Sequence, residues 1–257
     1  MSLPVSASAI HPPAPHPRSG AALVVAETPE ERRTYVERRL EGTVWERFRL
    51  VHWTYERGLA FALALGRMGV SANALTYASL VLAALAELLS AFSQFGWAAV
   101  AVAISGGCDV LDGAVARVTH TSSRYGALLD STIDRFADGL PLLGLIAAFS
   151  TDRWVSVLPG SALLASLVVP YVRARAEGLG GSLPPLFMRR GERVALLVFS
   201  LGLGELSIDS MRAPLLFAGL TAMTLLSFAG ALSALRAARL TLGSEPTAST
   251  AGTMPTR

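Results

Sequence analysis

The chain has 257 residues, of which 52% are hydrophobic and 16% charged, and its formal net charge is +3. This composition is typical either of a large globular domain or of a protein that crosses a membrane several times. The single cysteine, Cys108, excludes an intramolecular disulfide framework and a metal site built from cysteines. All 22 basic residues are arginines, and they favour an anionic membrane leaflet and phosphate-bearing substrates over nucleic acid.

The N-terminal region contains a tail and then a charged segment. Residues 1–28 are rich in Pro, Ser, Ala and His without hydrophobic periodicity, which predicts disorder, and residues 241–257 predict a second disordered tail. Residues 29–68 form an amphipathic region, in which Thr28-Pro29 predicts a helix start and a helix is expected to continue through Arg57. We expect this helix to lie on the cytoplasmic surface of a membrane, and the alternative is a helix that packs on the protein body. Its apolar face comprises Tyr35, Leu40, Val44, Trp45, Phe48, Val51 and Trp53.

Six apolar runs follow, and most are close to the length that crosses a hydrocarbon core of about 30 Å. They predict an all-α integral membrane protein in which residues 69–240 form one domain of six transmembrane helices. The runs are Asn73–Phe92, Trp97–Val118, Tyr125–Phe149, Trp154–Ala176, Val194–Leu206 and Pro214–Leu235. The fifth run is short, and the third and fourth carry charges.

The arginines indicate which side of the membrane each end of a run faces. They cluster at alternate ends and in the N-terminal segment, whereas only Arg153 and Arg212 lie at the other ends. By the positive-inside rule, both termini and residues 109–134 face the cytoplasm. No charged-then-apolar cleavable signal precedes the first run. We therefore expect a protein of a prokaryotic plasma membrane, with its site open to the cytoplasm.

Four carboxylates interrupt the second and third runs. Asp109 and Asp112 are three residues apart in the second run. Asp130 and Asp134 are four residues apart in the third, so each pair lies along one helix face, and the short connector 118–124 lets the two faces meet. Charge inside a membrane is costly and therefore indicates function. Converging carboxylates need compensation, and oxygen-only ligands favour one or two Mg²⁺ or Mn²⁺ ions.

This arrangement suits pyrophosphate chemistry. Two metal ions held by carboxylates can clamp a pyrophosphate and neutralise the leaving phosphate, while one carboxylate accepts a proton from an attacking hydroxyl. Gly113, Ala116 and Gly126 leave room for a nucleotide beside the helix backbones, and Arg117 can donate to phosphate. Two alternatives remain open. One is an Asp–Arg network that only locks two helices together, and the other is an ion or proton path in a transporter, which leaves the glycines unexplained.

The full pattern resembles the signature of the CDP-alcohol phosphotransferase family at every defined position. It reads Asp109-x2-Asp112-Gly113-x2-Ala116-Arg117-x8-Gly126-x3-Asp130-x3-Asp134. Members of this family transfer a phosphatidyl or similar group from a CDP-linked donor to an alcohol and release CMP. Asn73 and Thr76, in GVSANALT, resemble the family's Pro-Asn/Asp-x-x-Thr motif, with Ala72 in place of the Pro.

The resemblance implies a role for each of these residues. The metal ligands would be Asp109, Asp112 and Asp130, and Asp134 would act as the catalytic base and share in holding the second metal ion. The nucleotide would be bound by Asn73, Thr76, Asp112, Gly113, Ala116, Arg117 and Gly126. The donor would be CDP-diacylglycerol, entering laterally from the leaflet, and the protein would form a homodimer.

A second stretch indicates the acceptor. The chain contains YVRARAEGLGG followed by RRGERV. This stretch is similar to the actinobacterial type of phosphatidylinositol phosphate synthase within this family, where a YxKARAE stretch and a later ER pair form the inositol phosphate site. Two positions depart from that type, because Arg173 replaces a common Lys and Pro170 replaces a small hydroxyl residue. The resemblance implies inositol 1-phosphate as the acceptor, with its phosphate bound by Arg173, Arg175, Arg193 and Arg236. Glycerol 3-phosphate is the alternative acceptor, and positive-inside anchoring is the alternative role of these arginines.

Three further features lie near these motifs. Asp138 continues the four-residue stripe but is rotated away from Gly126, so a supporting or solvated position is expected. Glu177 lies within one helical turn of two of the arginines and can orient either of them. Residues 178–191 contain GLGG and a Pro-Pro pair, which predict a flexible lid or an acceptor-side loop.

Overall fold

The computed structural model describes residues 28–41, 47–184, 187–206 and 212–243, and the regular elements in this part of the chain are all α-helices. The predicted tails lie outside it, apart from Thr28 and residues 241–243. The helices in chain order are α1 (Pro29–Leu40), α2 (Arg49–Arg67), α3 (Ala72–Ala91), α4 (Phe95–Val118), α5 (Arg124–Ala148), α6 (Arg153–Gly178), α7 (Arg190–Leu206) and α8 (Arg212–Leu242).

Helix α1 begins where Thr28 and Pro29 predicted a start. The backbone amide of Glu31 donates to Thr28 Oγ1 at 3.2 Å, and the amide of Thr28 donates to Glu31 Oε2 at 3.0 Å. This reciprocal capping box satisfies two amides that the helix itself cannot pair. The prediction of one helix through Arg57 is wrong, because α1 ends at Leu40 and a second helix starts at Arg49.

Both N-terminal helices contact the rest of the protein. Leu59 and Ala62 of α2 form a buried cluster with Ala114 and Val115 of α4, and Tyr35 of α1 packs against it. Helix α2 and the residues that flank it also expose large apolar side chains. These are Trp53 and Phe61 within the helix, and Phe48 and Met68 at its two ends.

Helices α3 to α7 coincide closely with the first five predicted apolar runs, whereas α8 contains the sixth run and continues beyond it to Leu242. Among the described residues, four of these helices are long and apolar enough to cross a membrane, so the chain is an integral membrane protein. Helix α5 contains too many charged residues to be identified as a membrane span from its composition. Helix α7 is only 17 residues long, which is short for a span. Helix α8 continues to Leu242, close to the domain end predicted at residue 240, and the predicted domain bounds stay a prediction.

The packing leaves a cleft between the two helices that carry the carboxylates. Helix α3 packs along both α4 and α5, whereas α4 and α5 contact each other little. The approach of α3 and α5 requires Gly144, because a Cβ atom at this position would collide with the backbone carbonyl of Glu87. Helix α7 packs between α4 and α8, and α6 packs on α5 and α8.

The apolar core fills the half of the helix bundle away from the carboxylates. It includes Leu142 and Leu145 of α5, Leu201 of α7 and Leu220 of α8, all of which are fully buried. Three aromatic rings pack at its far end, where Phe149 lies 6.2 Å from Phe95 and 4.9 Å from Phe217 between ring centroids. The bundle is therefore apolar at one end and charged at the other.

Candidate active site

Three of the four predicted carboxylates converge in the cleft between α4 and α5. Asp109, Asp112 and Asp130 each offer an oxygen, and these oxygens lie within 4.8 Å of one another. The Asp112 side chain is buried, and the hydroxyl of Thr76 on α3 donates to its Oδ2 atom at 2.6 Å. The signature spacing thus brings together the residues that it was expected to bring together.

This group fits a divalent cation. Three close carboxylate oxygens repel one another unless positive charge lies between them, and a set made only of oxygen suits the hard ions Mg²⁺ and Mn²⁺. The Thr76 hydroxyl supports the cluster from behind by fixing the orientation of Asp112. Asp134, the fourth predicted ligand, lies outside this group of three and contacts arginine side chains instead.

A cavity of about 440 Å³ opens beside the carboxylates. It lies between α3, α4 and the first turn of α5. The backbone amide of Gly126 donates to Ser123 Oγ at 2.9 Å, and a Cβ at this glycine would lie 3.9 Å from Asn73 Oδ1. All seven residues predicted to bind the nucleotide line this one cavity: Asn73, Thr76, Asp112, Gly113, Ala116, Arg117 and Gly126.

Arg117 is oriented by its surroundings. Its guanidinium lies over the ring of Tyr35, 5.9 Å from the ring centroid, a cation–π arrangement. A Cβ atom on Gly113 would lie 3.2 Å from Arg117 Nη1. Gly113 therefore leaves the space that the Arg117 side chain uses at the edge of the cavity.

A second cavity, of about 180 Å³, lies on the α6 and α7 side of the carboxylates. Arginines from α5, α6 and the start of α7 line it together with Asp134 and Asp138, and we call it the arginine cavity. Its arginines are Arg135, Arg173, Arg189, Arg190 and Arg193. Arg173 and Arg193 were predicted to bind an acceptor phosphate, and Glu177 Oε1 lies 3.2 Å from Arg173 Nε, as expected for an orienting contact.

The other two predicted acceptor residues lie elsewhere. Arg175 and Arg236 are exposed and are not among the residues that line the arginine cavity. Their assignment to the acceptor phosphate stays a prediction.

Arg190 is a residue of the site that was not among the predicted ones. The Nη1 atom of Arg190 contacts Asp109 Oδ2 and lies 2.9 Å from Asp134 Oδ1, and its Nε donates to Asp138 Oδ1 at 3.1 Å. One guanidinium therefore touches three carboxylates on two helices. The available signal was the three-residue spacing of Arg190 and Arg193, which places both on one face of α7.

Of the two positions expected for Asp138, the supporting one agrees with its contacts and the solvated one is wrong. Its side chain is 7% exposed, and its two oxygens accept from Arg190 Nε and, at 2.6 Å, from Arg193 Nη2. Four residues turn a helix by about 400°, so each aspartate of the α5 stripe is rotated by about 40° from the previous one. This rotation carries the stripe from the nucleotide side at Asp130 to the arginine cavity at Asp138.

The segment before α7 is anchored at its end. Met188 is buried and has a positive φ of 59°, and its carbonyl accepts from Arg193 Nη1 at 2.9 Å. A Cβ at Gly230 of α8 would lie 3.0 Å from the carbonyl of Phe187, so this part of the loop packs tightly on α8. Residues 187–189 thus pack against the helix bundle, and a flexible lid or an acceptor-side loop stays a prediction for residues 178–191.

A third cavity, of about 550 Å³, lies between α2 and α4. Apolar side chains such as Leu59, Phe61 and Leu111 line it, and Asp109 and Asp134 lie on its wall. It connects a lipid-compatible surface with the carboxylates. Asp134 also lines the arginine cavity, so this carboxylate separates the two spaces.

Comparison with known proteins assigns the family. The sequence profile of the CDP-alcohol phosphatidyltransferase family matches residues 69–225, which is more than half of the chain. The chain belongs to this family. The two non-enzymatic alternatives, a helix-locking Asp–Arg network and a transporter, are therefore not supported.

Two curated relatives have names that specify an inositol phosphate product. Archaetidylinositol phosphate synthase from Methanothermobacter thermautotrophicus is 36% identical over 132 residues, which cover 51% of this chain and 66% of that protein. Phosphatidylinositol phosphate synthase from Mycolicibacterium smegmatis is 36% identical over 149 residues, which cover 56% of this chain and 67% of that protein. The alignments thus span about two thirds of the length of each relative.

Solved structures of one family member have a similar fold. Mycobacterium tuberculosis phosphatidylinositol phosphate synthase with CDP-DAG bound superimposes with a TM-score of 0.66 at 26% identity, over 74% of this chain and 98% of that chain. The same synthase in complex with manganese and citrate also gives a TM-score of 0.66. That family member therefore binds both the CDP-linked lipid and a divalent metal.

Proposed function

We propose that this protein transfers the phosphatidyl group of CDP-diacylglycerol to inositol 1-phosphate, releasing CMP and forming phosphatidylinositol phosphate. The observation that carries this proposal is the position of the carboxylates. The group Asp109, Asp112 and Asp130 lies beside the cavity lined by the family signature, and Asp134 faces the arginine cavity. A nucleotide-linked donor and an anionic acceptor would thus meet at the carboxylates.

The arginine cavity supports a phosphorylated acceptor. Several guanidinium groups around about 180 Å³ suit a small dianion, because each can donate two parallel hydrogen bonds to phosphate. The names of the two relatives support inositol phosphate in particular, since they differ in the lipid and share the inositol phosphate group.

The two parts of the donor would lie in two different cavities. In our proposal Asn73, Gly113, Arg117 and Gly126 bind the CDP group in the 440 Å³ cavity. The acyl chains lie along the apolar wall between α2 and α4 and reach it laterally from the leaflet. Asp109, Asp112 and Asp130 would hold Mg²⁺ or Mn²⁺, which would supply positive charge against the pyrophosphate and the leaving CMP.

Asp134 is the proposed base. Its Oδ1 atom is buried and lies 2.9 Å from Arg190 Nη1, but it accepts no hydrogen bond from the described residues. A carboxylate oxygen that accepts no hydrogen bond keeps a lone pair for the proton of an acceptor hydroxyl. The deprotonated oxygen then attacks the phosphorus next to the lipid, and the bond from that phosphorus to the CMP oxygen breaks.

The architecture we propose has six transmembrane helices, α3 to α8, which make up the domain predicted for residues 69–240. Helices α5 and α7 pack among the four apolar helices, which supports a spanning position for both. The exposed apolar side chains at the start of α2, Phe48 and Trp53, support a position in the membrane interface for this helix. The arginine distribution supports an active site facing the cytoplasm of a prokaryotic plasma membrane. A homodimer completes the proposal.

CMP release by the purified protein tests this function. The assay contains CDP-diacylglycerol with Mg²⁺ or Mn²⁺ and compares inositol 1-phosphate, glycerol 3-phosphate, free inositol and serine as acceptors. We expect release with inositol 1-phosphate alone, abolished by a chelator and by Asp112→Asn. Release with glycerol 3-phosphate alone would retain the mechanism but contradict the acceptor. The absence of metal-dependent release with every acceptor would contradict the function.

A further inference from the structure

Arg190 lies where the carboxylates and the arginine cavity meet, and the proposed reaction gives it no role beyond lining that cavity. It contacts Asp109 and Asp134 through Nη1 and Asp138 through Nε. Its side chain is 17% exposed. A guanidinium in this position contributes a full positive charge to the center of the acidic cluster.

Arg190 and a second divalent cation would use the same oxygens. Asp109 belongs to the group of three that fits a metal ion, yet its Oδ2 atom also contacts Arg190. Both oxygens of Asp134 face arginines, with Arg190 Nη1 2.9 Å from Oδ1 and Arg135 Nη1 3.9 Å from Oδ2. Asp109 and Asp134 can therefore hold a second cation only if Arg190 gives them up.

The contacts of Arg190 also indicate where it can turn. Its Nε bond to Asp138 is on the side of the arginine cavity, which Arg190 already lines. Arg193 is fixed by comparison, because it is 4% exposed and donates both to Met188 O and to Asp138 Oδ2. Arg190 can thus keep its bond to Asp138 while its Nη atoms move from the carboxylates into the cavity.

The positive charge of Arg190 has to be offset by an anion, both when its side chain contacts the carboxylates and when it lies in the arginine cavity. It is the first residue of α7, where the positive end of the helix dipole disfavours a cation. The aspartates offset this effect at present. In the cavity, an acceptor phosphate would offset it instead.

We propose that Arg190 is a positioning residue that occupies the place of the second divalent cation, gives up Asp109 and Asp134 to it, and then binds the acceptor phosphate. This inference rests on the proposed function. It makes metal binding and acceptor binding mutually favourable, since each ligand stabilises the same position of one side chain, and such coupling must act equally in both directions.

Mn²⁺ binding without donor lipid tests the first half of the proposal. The free Mn²⁺ signal in electron paramagnetic resonance is titrated with the purified full-length wild type, Arg190→Gln and the matched control Arg239→Gln. Arg239 is an exposed arginine near the end of α8. We expect Arg190→Gln to bind the second Mn²⁺ about tenfold more tightly than wild type, a coupling of typical size. The control should match wild type.

A variant that keeps the charge covers the case in which Arg190→Gln does not fold. In Arg190→Lys, the ammonium group is a single point charge and cannot contact three carboxylates at once as the guanidinium does. We expect this variant to bind the second Mn²⁺ more tightly than wild type but less tightly than Arg190→Gln. A purely structural role for Arg190 predicts the opposite, weaker Mn²⁺ binding in both variants, and this result would overturn the proposal.

Calorimetry with inositol 1-phosphate tests the second half. The gain in acceptor affinity on adding saturating Mn²⁺ should be about tenfold larger in wild type than in Arg190→Gln. Equal gains would overturn the coupling. Failure of wild type to bind any Mn²⁺ would overturn the proposed function as well. If wild type binds Mn²⁺ and releases CMP while Arg190→Gln has an unchanged second site, only the role of Arg190 is wrong.

Discussion

Asp112 is the most buried carboxylate of the metal-binding group, and one hydroxyl orients it. Thr76→Val keeps the side-chain volume but removes the 2.6 Å hydrogen bond to Asp112 Oδ2. We expect the Mn²⁺ concentration for half-maximal CMP release to rise about tenfold, as is typical when a group that supports a metal ligand is lost. The control Thr221→Val removes a hydroxyl that contacts only the helix backbone and should behave as wild type. An unchanged Mn²⁺ requirement in Thr76→Val would contradict the support role.

Gly113 leaves the space that the guanidinium of Arg117 occupies. The Cβ of Gly113→Ala would lie 3.2 Å from Arg117 Nη1 and displace the guanidinium from the cavity edge. We expect the KM for CDP-diacylglycerol to rise up to about tenfold, equivalent to one charged hydrogen bond of about 1.5 kcal/mol. Gly202→Ala adds a Cβ with no neighbour within 4 Å and serves as the control. A KM unchanged in both variants would show that Arg117 does not bind the donor.

The sequence predicted those residues of the site that follow from helical spacing alone. Asp109, Asp112 and Asp130 lie on helix faces that any α-helix would present, and a short connector makes the faces meet. Arg190 and Asp138 required tertiary information. An arginine at a helix end looks like an ordinary membrane anchor, and Asp138 looks solvated until α7 covers it.

At the scale of helices, the position of α5 against α3 depends on one glycine. A Cβ in Gly144→Ala would collide with the Glu87 carbonyl, and a backbone atom cannot move aside as a side chain can. We expect a loss of about 2 kcal/mol, the usual cost of overpacking, and a thermal midpoint lower by about 5 °C in detergent.

Gly160→Ala is the matched control within α6. Its Cβ would meet only Ile146 Cδ1, at an ordinary 3.9 Å, and alanine favours a helix over glycine by about 1 kcal/mol. Its midpoint should stay the same or rise. Equal midpoints in the Gly144 and Gly160 variants would contradict the close approach of α3 and α5.

The helix positions could be predicted from the lengths of the apolar runs and from the capping residues. The helix bounds that were predicted wrongly have physical reasons. The bounds of α3 to α7 agree with the predicted runs within a few residues, because apolar length and polar connectors are local properties. The division between α1 and α2 was missed because charged and apolar residues continue to alternate between the two helices. Leu59 and Ala62 were placed by packing against α4, which composition does not reveal.

For the whole molecule, the spanning position of α5 can be tested by labelling. In a Cys108→Ser background, Ser122→Cys lies before α5 and Thr151→Cys lies after it. If α5 crosses the membrane, an impermeant maleimide should label the first only in inverted vesicles and the second only in right-side-out vesicles. Labelling of both positions from one side would show that α5 does not cross.

Asp134 lies on the wall of both the arginine cavity and the cavity between α2 and α4. A lipid and a water-soluble reactant can therefore arrive by separate routes, and neither blocks the path of the other. Binding in either order is the kinetic consequence, with both reactants present before any bond breaks. Initial rates measured while both concentrations are varied should give intersecting double-reciprocal lines. Parallel lines would instead indicate that the enzyme itself carries the transferred group between two half-reactions.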